Sequence, residues 1–248
     1  MHRAAREGYR EAERYERARP EYPAEAVDWL AGALGIGPAS LVLDIGAGTG
    51  KFTRAIASRC RAVVAVEPLE GMRREFALRL PAARVVAGAA EALPLRDGSA
   101  DAATAAQSFH WFGSPEALGE IHRVLAPGGR LGLLWNQRDE SVAWVRGLGA
   151  LLEPLEGDAP RFRTGRWREV LRASPLFGPL REARFRTSQV GSPETVVERI
   201  ASTSLVACLP DDRRAELLAA VGRLAQPARA GDLVHLPYLT HVYCCARR

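Results

Sequence analysis

Leu41-Val42-Leu43-Asp44-Ile45-Gly46-Ala47-Gly48-Thr49-Gly50-Lys51-Phe52 runs an apolar strand into three alternating glycines and then into a helix. Glycines in such a turn admit positive φ and remove the Cβ atoms that would hold a ligand off the backbone. A flat or anionic ligand can therefore lie on the carboxyl end of the strand. Val63-Val64-Ala65-Val66-Glu67 is a second buried strand that ends in a carboxylate. It lies roughly twenty residues on, where a nucleotide site needs an acceptor for ribose hydroxyls. A P-loop would need a glycine in place of Ile45 and a hydroxyl in place of Phe52, so that reading fails. A dinucleotide fingerprint would need its third glycine at Lys51, which disfavours NAD but leaves it open.

Working outward, short apolar runs at 41–45, 62–67, 84–87, 101–106 and 130–136 alternate with helical stretches at 50–59, 71–79 and 114–125. That alternation builds a parallel sheet from βαβ units. Pro127-Gly128-Gly129 closes the third helix. Upstream, residues 1–19 pair Glu13 with Arg17 as on a solvated helix, and 24–34 is a short helix. After Asn136 the alternation is lost: helices broken by Pro154, Pro160 and Pro175 fill 138–180, while Ser192-Pro193-Glu194 and Pro210-Asp211-Asp212 open two more. Strands at 182–190 and 233–246 remain, the second long enough to reverse at Leu236-Pro237-Tyr238. The expected architecture is α/β, a doubly wound, mostly parallel seven-stranded sheet with a helical insertion before its last strands. Its expected divisions are an N-terminal helical lid (1–37), a cofactor-binding core (38–137) and, over 138–248, an insertion to about 230 plus the final strands.

The 248 residues are 47% hydrophobic and 25% charged, which is ordinary for a chain with a core of useful size. No apolar run is long enough for a membrane span, and the first residues lack the apolar stretch of a secretory signal, so cytoplasm is expected. Cys60, Cys208, Cys244 and Cys245 show no metal-ligand spacing and are too sparse for a disulfide framework. They are read as reduced thiols, mostly buried. The net charge of +5 is spread along the chain and, since Lys51 is the only lysine, is nearly all arginine. Dispersed charge of this kind disfavours nucleic acid as a partner.

Asp44-x-Gly46-x-Gly48-x-Gly50 resembles the first motif of the class I S-adenosylmethionine-dependent methyltransferases, which have a Rossmann-like fold. Three further segments recur there in the same order: Gly88 to Leu95 followed by Asp97 to Asp101; Gln107 to Phe112; and Glu120 to Gly129. The resemblance is strongest to the type 11 and trans-aconitate-methyltransferase-like groups, which Tyr15-x-x-x-Arg19-Pro20-x-Tyr22-Pro23 and Leu236 to Thr240 also match.

That resemblance implies S-adenosylmethionine as cofactor, with its methionine part over Gly46, Ala47, Gly48 and Gly50, Asp44 supporting the turn or reaching the amino group, and Glu67 on the ribose. Many relatives carry an acid immediately after the glycine of the third strand, for the adenine amino group; this chain has Ala89 there. Backbone groups of Ala89 and Ala90 or the Glu91 side chain are the replacements, although Glu91 is equally placed to begin a helix. Leu69 and Met72 either pack on the adenine or belong to a helix core. Gln107, Ser108 and His110 lie at the crevice where donor and acceptor meet. His110 is either a general base for a hydroxyl or thiol acceptor or a structural hydrogen-bond partner beside Trp111 and Phe112. His122 and Arg123 are scaffold.

The expected activity is methyl transfer to a small-molecule acceptor, a carboxylate among the candidates. A carboxylate is already ionised at neutral pH and would call for arginines, for which Arg19, Arg138, Arg163 and Arg166 are available. Tyr15 and Arg19, with Tyr22, would then belong to a lid over the cofactor. The alternatives are a nicotinamide-dependent oxidoreductase and a cofactor-binding module that methylates nothing. Monomer and homodimer both remain open.

Overall fold

The computed structural model describes residues 12–248, and these fall into two compact units. The larger contains Glu21–Trp135, Pro160–Phe185 and Thr240–Arg248; the smaller contains residues 12–20, Asn136–Ala159 and Arg186–Leu239. The strands are β1 (Leu41–Ile45), β2 (Ala62–Val66), β3 (Arg84–Val86), β4 (Ala100–Ala106), β5 (Leu125–Arg138), β6 (Arg181–Gly191), β7 (Arg229–Ala230) and β8 (Leu233–Ala246). The helices are α1 (Ala12–Ala18), α2 (Ala24–Leu34), α3 (Lys51–Ala57), α4 (Glu70–Arg79), α5 (Pro115–Val124), α6 (Ala143–Leu152), α7 (Arg166–Ala173), α8 (Pro193–Ala201), α9 (Ser204–Ala207) and α10 (Asp211–Ala225).

The sheet order is β3-β2-β1-β4-β5-β8-β6, with the short β7 paired to β8 alone. The expected seven strands are thus present and a two-residue eighth is added. β3, β2, β1, β4 and β5 run parallel. The order reverses between β1 and β4, the switch point at which open α/β sheets bind their ligands.

In the larger unit the period of two along each strand sorts side chains onto two cores. Leu43, Ala103, Leu131, Leu133, Tyr243 and Cys245 face one core with α5 and α7 residues; Val42, Ala102, Leu134, Val242 and Cys244 face the other with α2 and α3 residues. The neighbouring cysteines therefore lie on opposite faces, and among the described residues no cysteine forms a disulfide. α5 starts where Ser114 Oγ accepts from Ala117 N and Pro115 takes the first turn. In the smaller unit Val145, Leu148, Val196, Ile200, Val221 and Leu236 build a separate core.

Several expectations need correction. β8 does not reverse at Leu236-Pro237-Tyr238. Proline only removes a donor there, and its carbonyl accepts from Asp139 N at 2.9 Å. The reversal comes earlier, between β7 and β8, where Gly231 takes φ +64°. No helix begins at Glu91, because Pro94 and Gly98 (φ +60°) break the segment and Arg123 ties it down. The compact units change over after Pro20 and after Trp135, and residues 160–185 belong to the larger unit. Of the N-terminal helix, residues 1–11 lie outside the described residues; within α1 the Glu13–Arg17 pair forms at 2.8 Å, yet Glu16 is buried. Among the described residues no helix is long and apolar enough to cross a membrane, and no His, Cys, Asp and Glu cluster could hold a metal ion.

Candidate active site

The glycine turn leaves β1 with Gly46 N and Ala47 N both donating to Val66 O, at 2.8 and 3.2 Å. Gly46, Gly48 and Gly50 all take positive φ, at 66°, 58° and 89°. Beyond that they do different work. A Cβ on Gly46 would meet Ser108 Cβ at 2.8 Å, and one on Gly50 would meet Leu80 and Phe76 atoms at 2.6 and 2.8 Å. A Cβ on Gly48 would meet nothing within 4 Å. The outer two glycines thus admit close packing, while the middle one faces open space.

Glu67, one residue past β2, is only 5% exposed. Its Oε2 accepts from Gly48 N and its Oε1 from Leu69 N, both at 2.9 Å. These bonds tie the carboxylate to the open glycine and leave a second lone pair on each oxygen. Burial raises the Glu67 pKa above its ordinary value, against the pull of the two backbone bonds and of Arg73. Arg73 Nη1 donates to the carbonyls of Glu67 and Pro68 at 2.9 and 2.7 Å.

Asp44 is fully buried at the heart of β1. Thr53 Oγ1 donates to it at 2.6 Å, and Thr104 Oγ1 lies 3.3 Å from its other oxygen. Burial pushes its carboxyl up to about 6, with the threonine bonds opposing and the Glu67 charge adding. Asp44 therefore supports the turn from beneath, tying β1 to α3 and β4. Sequence reasoning missed Thr53 and Thr104, although a lone polar residue in the run Ala102-Ala103-Thr104-Ala105-Ala106 was a signal for the second.

Across the crevice, Gln107 takes φ +58°, the only described non-glycine residue to do so. Strain of this kind concentrates at functional sites. Its N donates to Leu134 O at 2.8 Å, and Ser108 Oγ donates to Ile45 O at 2.8 Å, so the ends of β4, β5 and β1 are pinned together. His110 follows in the short 3-10 turn Phe109–Trp111. Trp135 Nε1 lies 3.0 Å from His110 Nδ1. An indole only donates, so Nδ1 accepts and the proton of the neutral imidazole sits on Nε2. Trp135 was not foreseen from sequence.

The remaining predicted residues divide as follows. Leu69 is half-buried and Met72 buried, and Ala90 joins the core while Ala89 and Glu91 are exposed. Arg123 ties the 93–97 segment, donating to Leu93 O and Leu95 O and pairing with Asp97 and Glu120, as its scaffold role requires. Tyr22 packs edge-on against Phe52, with ring centroids 5.5 Å apart. Tyr15, Arg19 and Arg138 belong to the smaller unit, and the Arg19 guanidinium lies over the Tyr15 ring at 4.6 Å. Arg163 and Arg166 are exposed.

A turn with one open glycine, tied to a buried carboxylate at the neighbouring strand end, fits an adenosine-bearing ligand that approaches the backbone and offers ribose hydroxyls. Comparison with known proteins agrees. Residues 43–133 match a family described as a methyltransferase domain. The chain is 38% identical over 233 residues to the uncharacterized methyltransferase-like C25B8.10 of Schizosaccharomyces pombe, covering 92% of this chain and 91% of that one. It is 40% identical over 229 residues to the uncharacterized methyltransferase Rv3342 of Mycobacterium tuberculosis, covering 91% and 89%. Among solved structures, one from Anaeromyxobacter dehalogenans, named as a type II methyltransferase, superposes with a TM-score of 0.68 at 25% identity, covering 93% of this chain and 97% of that one.

Proposed function

The chain belongs to the methyltransferase family that these relatives share, and we propose that its acceptor is a small molecule offering an already ionised oxygen, a carboxylate first of all. The enzyme is an S-adenosylmethionine-dependent methyltransferase, so the nicotinamide and non-catalytic alternatives fall away. The bound cofactor supplies a methyl on a sulfonium, which is both electrophile and leaving group. What the protein adds is grip and alignment. In this reading the turn from Gly46 to Gly50 takes the methionine part, Glu67 the ribose, and Leu69 with the Ala89–Ala90–Glu91 segment the adenine. Gln107 and Ser108 border the reacting centre.

One observation supports the acceptor class: the Trp135 indole occupies His110 Nδ1. With Nδ1 taken up by the indole and the proton on Nε2, neutral His110 has no ring lone pair left to take an acceptor's proton. A hydroxyl or thiol would need a base, whereas a carboxylate, with an ordinary pKa near 4, needs none. The test supplies pools of carboxylic acids, alcohols and thiols and measures transfer between about pH 6 and pH 9, a window wide enough to expose a titrating imidazole. Methyl ester formation at a flat rate supports the reading. Methylation of an alcohol or thiol at a rate that climbs through the histidine range and is lost in His110→Gln refutes it.

A further inference from the structure

The smaller unit holds a concentration of positive charge. Three guanidinium groups from separate stretches of chain lie there: Arg19 just past α1, Arg138 at the end of β5, whose neighbour Asp139 bonds the carbonyl of Pro237 beside Tyr238, and Arg199 in α8. Arg199 is only 4% exposed. Its Nε donates to Tyr238 Oη at 3.0 Å, and Arg19 Nη2 donates to Ser202 O at 3.4 Å. Burial lowers the Arg199 pKa to about 10, and the charges of Arg19 and Arg138 push in the same direction. Arg138 is likewise lowered by burial and by Arg19, with Tyr238, Glu140 and Glu156 pulling the other way.

Each of the three also carries a buried nitrogen with no hydrogen-bond partner: Arg19 Nε, Arg138 Nε and Arg199 Nη1. Protein interiors leave very few polar groups in that condition, and unpaired like charges are the costliest of them. Among the described residues, the groups that act on the Arg199 charge are two cations and a phenol. The phenol accepts from Arg199, so its own O–H is available to donate. Three cationic forks and one hydroxyl donor form a receptor whose missing half is an anion. Planar, bidentate N–H pairs suit carboxylate and phosphate oxygens alike.

We propose that Arg19, Arg138 and Arg199, with Tyr238, form a binding site for a small acid bearing two or more oxyanion groups. A single charge would leave most of the cluster uncompensated. That this acid is itself the methyl acceptor rests on the carboxylate reading given above; the site does not.

The full chain is titrated calorimetrically with succinate, tricarballylate, inorganic phosphate and acetate, each with and without S-adenosylhomocysteine. Succinate or tricarballylate binding well above acetate supports a polycarboxylate, and phosphate binding alone supports a phosphorylated ligand. Arg138→Gln and Arg199→Gln are each expected to weaken that binding about tenfold or more, the usual size for a charged hydrogen bond. Their ligand-free melting points should stay level or rise, because each removes an unpaired cation. S-adenosylhomocysteine affinity should hold. Absence of any multivalent-anion binding, undiminished binding in both variants, or lower ligand-free melting in both overturns the proposal. Anions that bind but are never methylated support the site and refute only the acceptor reading; loss of S-adenosylhomocysteine binding in wild type would strike the cofactor reading and leave the arginine site standing.

Discussion

Replacing Asp44 by asparagine tests whether the turn is held by a carboxylate that the fold itself makes uncomfortable. Burial lifts this group from 3.8 to about 6 in the folded chain. A carboxyl whose folded pKa lies above its unfolded value binds its proton more tightly when folded, so stability is greatest below the unfolded pKa and falls as pH rises through the interval. At 1.36 kcal/mol per unit, ionised Asp44 costs about 3 kcal/mol once the pH exceeds the folded value. The uncharged amide of the Asp44→Asn variant carries no such cost. The quantity to measure is the stability of Asp44→Asn minus that of wild type, by urea or thermal unfolding at about pH 3 and again at about pH 7.5, on either side of the interval. Subtraction cancels the other carboxylates. The difference should move in favour of the variant by about 3 kcal/mol between the two conditions, or about 6–12 °C of melting temperature for a chain this size. Its absolute value also carries the altered bonds to Thr53 and Thr104. A difference that stays flat within about 1 kcal/mol, the usual spread for a mildly perturbed carboxylate, would refute the assignment of a desolvated charge beneath the turn.

The glycines should separate by function. Gly48→Ala is expected to cost only the about 1–2 kcal/mol of a left-handed alanine while sharply weakening S-adenosylhomocysteine binding in calorimetry. Gly50→Ala, which adds a clash with Phe76 and Leu80, should melt distinctly lower. Arg123→Ala should destabilise by about 2–3 kcal/mol through loss of charged bonds that tie the 93–97 segment, with cofactor affinity largely retained in the surviving folded protein. Equal losses of binding at Gly48 and Gly50, or an Arg123 variant as stable as wild type, would contradict these roles.

The parallel half of the sheet was legible because a two-sided buried strand writes itself as a short, mainly apolar run, as at Leu41 to Leu43 and Val63 to Val66. The turn was legible because positive φ at three alternating positions selects glycine. Signals weakened where one residue type serves two purposes. Pro237 reads as a breaker but sits within a strand that does not need its donor, and Glu91 reads as a helix opener but lies in a loop closed by Arg123, more than thirty residues away. The partition of the insertion depends on which core residues 160–185 join; Trp167 and Phe177 are apolar enough for either and settle with Trp135 and Tyr243.

The partners of Asp44, His110 and Arg199 were harder still, because each contact closes a long loop between side chains whose local patterns are silent. Thr104 is sixty residues from Asp44, and Tyr238 is thirty-nine from Arg199. Nearly every cation in this chain is arginine, so sequence alone cannot distinguish those that solvate a surface from those the fold gathers. What separates them is the hydrogen-bond account. Arg123 finds two carbonyls and two carboxylates and is structural, while Arg138 and Arg199 keep buried N–H groups that no acceptor meets. A residue whose local bonds are complete has its role explained by the fold. Arg138 and Arg199, whose bonds are left incomplete in the interior, share a sign, a unit and planar N–H pairs suited to an acid.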